Sequence, residues 1–345
     1  MTLMVAGCHA ALHAAIINVP DPGAGIATIQ DGVNAAASSG DTIRVAPGTY
    51  VESVDTLGKS VRIRATGSVN ATIIDAGGLG FGPAATFDSG ETRTTILEGF
   101  TLRGASEYAV ICHGASPTIL DCRFTTSGVR CDLGGAPLIE NCTFTGGSNF
   151  EGGAVHVETG ADPEFVDCDF TDNQSFLVGG AVLVREAAGR FTDCTFTDNT
   201  APLGGGIAIL DSTTSLTRCD FSGNQAETGG GGGWLVGGAP VLVQCSFAGG
   251  TASVGGGLYL SECPASVSST TFTDNIAEQS GGALRLLAAE GATFTSCIFE
   301  SNHAVEGGGA DITDGSDGLA FINCAFRNGT ADIGAGIDLG PAIGD

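Results

Sequence analysis

Lysine is almost absent from this chain. Lys59 is the only one in 345 residues, and 13 basic side chains face 38 acidic ones, for a net charge of −25. A chain so acidic repels phosphate backbones, which argues against nucleic acid as a partner. Tryptophan occurs once and tyrosine three times, so the 18 phenylalanines carry most of the aromatic content. No apolar run approaches the ~18 residues that a membrane-crossing helix needs. Twelve cysteines are present, yet C-x-x-C occurs nowhere, which removes the usual zinc-site spacing. His113, His156 and His303 stand at unrelated positions of the pattern described below, so a nucleophilic triad has no visible scaffold.

What is abundant is repetition. The phenylalanines of a C-x-F core, Phe124, Phe144, Phe170, Phe196, Phe221, Phe247, Phe272, Phe299 and Phe326, follow one another at 20, 26, 26, 25, 26, 25, 27 and 27 residues. Two positions before them stand Cys122, Cys142, Cys168, Cys194, Cys219, Cys245, Thr270, Cys297 and Cys324. Residues i and i+2 of a strand share a face, so both columns point inward. Three residues before the cysteines lies a further apolar column that includes Ile119, Ile139, Phe165, Phe191, Leu216 and Phe294. An odd offset between two buried positions demands a bend. The residue before each cysteine, mostly Asp, Asn, Ser or Gln, suits one.

After each phenylalanine the chain runs through a loop into small residues and a short alternating strand, such as Gly179 to Val184. The inward pairs of these strands read as Val155/Val157, Val182/Val184, Ile207/Ile209, Trp234/Val236, Leu258/Leu260, Leu284/Leu286, Ala310/Ile312 and Ile337/Leu339. A unit of ~26 residues with three short strands, three bends and apolar columns in register specifies an all-β fold: a single-stranded right-handed parallel β-helix, or solenoid, of about twelve rungs. The 56 glycines then belong to its turns.

Ahead of the repeat, Thr28 to Ala37 place Ile29 and Val33 on one helical face, with Thr28 as N-cap. This short N-terminal helix is expected to cover the open end of the first rung, an unpaired β edge. Three segments are expected: residues 1–15 as the remnant of an export signal, 16–104 as cap and first rungs, and 105–345 as the C-x-F repeat. Val5-Ala6-Gly7-Cys8 resembles a lipobox, so a lipoprotein anchored through Cys8 is one expectation, and a secreted or cell-surface location the general one. At the other end no helix follows Ile337/Leu339. The chain is expected to continue into further modules, or to associate end to end through that last rung.

Phe-x-x-Asn recurs at Phe170/Asn173, Phe196/Asn199, Phe221/Asn224, Phe272/Asn275 and Phe299/Asn302, and Gly-Gly-Ala followed by an aliphatic recurs at 152–155, 179–182 and 281–284. This combination resembles the repeats of chlamydial-type polymorphic membrane proteins and of bacterial right-handed β-helix surface proteins generally. Residues 26–104, with GDTIRVAPGTY and GKSVRIRATG, resemble the opening of pectate-lyase-like β-helices. The resemblance implies a fold and an extracellular setting more than an activity. No set of polygalacturonase or esterase catalytic motifs can be placed on this chain.

Two candidate surfaces follow. Asp167, Asp169, Asp193 and Asp220 flank the inward cysteines of neighbouring rungs and form an outward acidic patch with Arg218. Adjacent carboxylates suit a hard cation, so calcium is the expected ligand if the patch binds one. By resemblance to pectate-lyase-like enzymes, Arg218 would then be the candidate catalytic base of a calcium-dependent polysaccharide lyase. The second surface is the outward column of the post-glycine strand, read as His156, Leu183, Leu235, Tyr259 and Arg285, whose apolar members are unusual in solvent. A groove beside it would bind polysaccharide or another surface protein. The favoured reading is an adhesin-like binding scaffold that needs no cofactor, with the lyase as the alternative.

Overall fold

In the computed structural model, residues 14–339 are described apart from 22, 38, 79, 81 and 314–316. Cys8 and residues 1–13 of the expected export signal lie outside the described residues, as do residues 340–345. One rung shows the plan. Glu164–Val166 belongs to sheet I, Asp169–Thr171 to sheet II, Gln174–Val178 to sheet III and Val182–Arg185 to sheet IV. Sheet I has 13 strands, sheets II and IV have 12 each, and sheet III has six. Each strand pairs in parallel with its counterparts one rung away, so the fold is a right-handed parallel β-helix with the expected inward columns.

The bends are where the offset required them. Asp121, Asn141, Asp167, Asp193, Arg218, Gln244, Ser269, Ser296 and Asn323 all adopt φ between 51° and 56°, or 50° at Asp167. This left-handed turn swings the next residue, the cysteine, back to the interior. The column cysteines from Cys122 to Cys297 are buried, and from Cys142 onward their thiols lie within donating distance of carbonyls of their own and the preceding rung, as Cys168 Sγ does of Val166 O at 3.3 Å and Ile139 O at 3.5 Å. All eleven described cysteines are free, Cys112 and Cys131 included although they are register partners. Cys263 is a buried thiol, with its pKa pushed up by burial to about 12.

Phenylalanine rings stack along the axis. Phe144, Phe170 and Phe196 have successive centroids 4.8 Å apart with planes within 14°. A second stack, Phe165 on Phe191 at 4.8 Å, meets the first edge to face, at 6.0 Å and 62° between Phe165 and Phe170. Edge contact between the stacks suits the ring quadrupole. The Phe-x-x-Asn motif has its own cause: Asn173, Asn199 and Asn224 are buried and form a carboxamide ladder, in which the Oδ1 atoms of Asn199 and Asn224 each accept from the backbone N–H and Nδ2 of the asparagine one rung before, and Asn173 Oδ1 accepts from Gly147 N.

The cap is a helix, Ile29–Ala35, closed at its start by a capping box of Thr28 and Asp31. Ile29 and Val33 are buried against the first rung. At its other end the single lysine finds its use: Lys59 Nζ donates to Ala36 O at 2.9 Å and to Val33 O at 2.6 Å, which also accepts from Ala36 N at 3.2 Å, so the ammonium caps the helix C-terminus.

Two expectations need correction. Rungs from Ser148–Glu151 to Ile276–Ser280 carry a fourth strand, sheet III, where three strands per rung were expected. Trp234/Val236 is not an inward pair: Gly233 pairs with Ile207 and Leu235 with Ile209, so Gly233 and Leu235 face the core and Trp234 faces out. Five consecutive glycines, 229 to 233, leave the register open in sequence. Packing closes it, because a Cβ on Gly233 would already stand 2.8 Å from Leu258 Cδ2, leaving no room for an indole.

Candidate functional site

The outward column of sheet IV runs Arg130, His156, Leu183, Ala208, Trp234, Tyr259, Arg285, Asp311, Asp338, one residue per rung. Leu235, expected in this column, is a core residue, and Trp234 takes its place. Sheet III explains why apolar residues tolerate an outward position. Its strands end beside sheet IV, and Val178 covers Leu183 and Ala208, which are fully buried in a small cluster rimmed by Leu203 and Leu210. Stacking of the turns that join the two sheets needs glycine: at Gly180 a Cβ would lie 2.0 Å from Gly205 O of the next rung.

Past this covered stretch the column opens on an aromatic pair. Trp234 and Tyr259 stack at 3.8 Å with planes 7° apart. The indole lies over Gly229, whose missing side chain makes room for it, since a Cβ there would be 2.5 Å from Trp234 Cζ3. Tyr259 is nearly buried and Trp234 half-buried. On the next two rungs Arg285 pairs with the buried Asp311, forming the floor of a depression of about 710 Å³ lined also by Val254, Glu278, Ser280 and Val305.

At the other end of the column lies a charged network. Arg130 bonds Asp132 at 3.0 Å and also pairs with Glu158, and His113 Nδ1 lies 2.8 Å from Asp132 Oδ1. Arg185 grips Glu151 with two bonds, at 2.7 and 3.0 Å, and holds that carboxyl below its usual range. His156 lies between these groups, with Nε2 3.5 Å from Glu158 Oε2 and the ring 6.2 Å from that of Tyr108. Burial pushes the His156 imidazole down, against the pull of Glu158, so it is neutral near pH 7. Burial pushes the Tyr108 phenol up, and its hydroxyl donates to Glu151 O at 2.6 Å.

The acidic patch is divided by the bend. Asp167, Asp193 and Arg218 occupy the left-handed corner between sheets I and II, whereas Asp169 and Asp220 sit on the outer face of sheet II with Thr195 between them. Arg218 grips Asp193 at 2.6 and 2.7 Å, and Thr195 donates to Asp169 at 2.7 Å. Asp193's hydrogen bonds raise the pKa of Arg218 further, which keeps the guanidinium protonated and unsuited to take a proton. Among the described residues no group of three or more His, Cys, Asp or Glu side chains is arranged to hold a metal ion.

No curated protein matches the sequence. Among solved structures, the A-module of mannuronan C-5 epimerase AlgE4 from Azotobacter vinelandii aligns over 92% of this chain and 95% of its own, at 14% identity and TM-score 0.36. The Dettilon tailspike protein aligns over 91% of this chain and 68% of its own, at 10% identity and TM-score 0.41. The A-module of the AlgE6 epimerase from the same bacterium aligns over 91% of both, at 11% and 0.37. The family described as "Right handed beta helix region" matches residues 86–252 and 205–340, most of the chain. With its rungs in register over the same residues, this protein belongs to the right-handed β-helix family.

Proposed function

We propose that this protein is a secreted or cell-surface scaffold that binds a polysaccharide along the groove of sheets III and IV. The observation that carries this reading is the stacked Trp234/Tyr259 pair in an outward column, in a chain that has one tryptophan and three tyrosines. A flat aromatic edge with charged groups on the adjoining rung is the mixture of apolar surface and few polar groups that ligand sites use. Rigid rungs hold that mixture in place without an induced change. No described helix is long and apolar enough to cross a membrane.

The test is a panel of neutral and acidic polysaccharides in affinity electrophoresis, with the same panel assayed for unsaturated uronate products with and without calcium. Retardation by at least one polymer, lost in Trp234→Ala with an unchanged melting temperature, is the expected result. Retardation that survives both Trp234→Ala and Tyr259→Ala removes the groove from the account, and uronate products would replace the scaffold with a lyase.

A further inference from the structure

Basic groups nearly vanish from the last third of the chain. Residues 219–345 hold two of the 13 basic side chains, Arg285 and Arg327, and 14 of the 38 acidic ones. Several of those carboxylates gather on the side of the groove. Glu278, Glu306, Asp311 and Asp338 line the depression of about 710 Å³ floored by the Arg285–Asp311 pair, and Arg285 is the one basic residue of that lining. Glu278 also belongs to a second depression, of about 660 Å³ over sheet III, where its one charged companion is Glu227. Five carboxylates thus face a single guanidinium that is already paired. Among the described residues, Glu227, Glu278, Glu306 and Asp338 form no ion pair.

One acceptor on that floor is open. Asp311 is 1% exposed; its Oδ2 takes Arg285, whereas Oδ1 is buried and has no hydrogen-bond partner among the described residues. A buried carboxylate oxygen without a partner is costly, so a donor arriving from the groove is favoured there. The carboxylates do not converge on a point. Glu278 stands on the strand Ile276–Ser280, Glu306 and Asp311 on the next rung, and Asp338 on the rung after that. Spread over two strand spacings, about 10 Å, they suit a row of positive charges rather than a single ion.

We propose that the groove of sheets III and IV takes a polysaccharide that carries free amines, a β-1,4-linked polymer of glucosamine-type units, with its ammonium groups on Glu278, Glu306, Asp311 and Asp338. This ligand class presupposes that the groove binds polysaccharide at all. An ammonium brings three donors, and its bonds to carboxylates are stronger than those between neutral groups. A β-1,4-linked hexose advances by close to one strand spacing, so amines recur in step with the rungs. Tyr259 and Trp234, one and two rungs before Arg285, continue the site with apolar surface for the sugar rings. An acidic polymer would meet the same carboxylates and be repelled.

The experiment is calorimetric titration of the full chain with a β-1,4-linked glucosamine oligomer, its fully N-acetylated counterpart and a lysine oligomer of equal length, at low and at high salt. At about pH 5.5 sugar amines and exposed carboxylates are both charged. The glucosamine oligomer should bind, less tightly as salt rises. The N-acetylated oligomer should bind about tenfold more weakly or worse, the size of one charge-assisted hydrogen bond. Glu278→Gln with Glu306→Gln, at two exposed positions, should weaken the glucosamine oligomer by a similar factor without lowering Tm. Glu140→Gln with Glu300→Gln removes as much charge from the outer faces of sheets I and II and should leave the affinity unchanged. Equal binding of the two sugar oligomers, lost in Trp234→Ala, would overturn the amine and keep the groove, whereas no binding of either would overturn both. Equal losses in the two double variants would reduce the attraction to net charge, and tighter binding of the lysine oligomer would replace the sugar with a basic peptide; each of these results also overturns the proposal.

Discussion

Replacing Asn199 by alanine removes a buried rung of the carboxamide ladder. Asn199 Oδ1 accepts from Asn173 N and Asn173 Nδ2, both at 3.0 Å, while its Nδ2 donates to Phe170 O and Asn224 Oδ1, again both at 3.0 Å. Alanine cannot replace any of these. The Asn173 backbone N–H and one of its amide hydrogens lose their acceptor at a buried position, at about 1–3 kcal/mol each. About 4 kcal/mol in total is expected. For a chain of this length a loss of 1 kcal/mol lowers Tm by ~1–2 °C, so Asn199→Ala should melt about 4–8 °C below the parent. Gln225→Ala, on the next rung, one residue after Asn224 and exposed, is the control and should change stability by less than ~0.5 kcal/mol. Asn199→Asp keeps the acceptor but buries a charge, so burial raises its folded pKa above the unfolded value and the variant gains stability as pH falls. Differential scanning calorimetry reads all three. An Asn199→Ala midpoint within ~1 °C of the parent would show that the ladder contributes nothing, and the explanation of the Phe-x-x-Asn motif would fail.

Burial holds the His156 imidazole below its ordinary value, so the unfolded chain takes up that proton at a higher pH than the folded one. Stability at His156 is therefore full above pH ~6.5 and falls as pH drops from there toward the folded pKa; His156→Gln should flatten that part of the melting profile, and an unaltered profile would refute the assignment. Cys324 on the last rung is partly exposed, whereas the column cysteines from Cys122 to Cys297 are free, buried thiols. They should resist alkylation in the native protein and react in denaturant without reductant, and mass spectrometry showing paired ladder cysteines would contradict the packing. With Asp193 held by Arg218 and Asp169 by Thr195, calcium and sodium at matched ionic strength should raise Tm equally. A calcium-specific increment that Asp167→Asn with Asp220→Asn abolishes would place a cation there.

The candidate site was less legible than the fold, for reasons that can be traced residue by residue. Arg218 and Asp193 occupy the same pre-cysteine position on adjacent rungs, so their ion pair was readable in the repeat once the column was treated as a row of neighbours. Trp234 was not readable, because a run of five glycines has no side chains to mark its phase. Sheet III escaped because Gln174–Val178 shows no alternation of apolar and polar residues, with a burial pattern of exposed, buried, exposed, exposed, buried. Its order comes from pairing with the rungs on either side rather than from a buried face.

Spacing alone determined the solenoid. Columns of Cys and Phe two residues apart, recurring at ~26 residues, can be buried together only by parallel rungs in register, and the left-handed bend follows from the odd offset before the cysteine. Those are local constraints repeated many times, so errors at one rung are corrected by the next. Which outward residues meet is a different kind of fact. It depended on sheet III folding beside sheet IV to bury Leu183, to set off Trp234 and Tyr259, and to bring Glu278 and Glu306 around the depression that Asp311 floors. Outward side chains have no core to set their phase or their partners, so the three-dimensional path of the chain decided that surface.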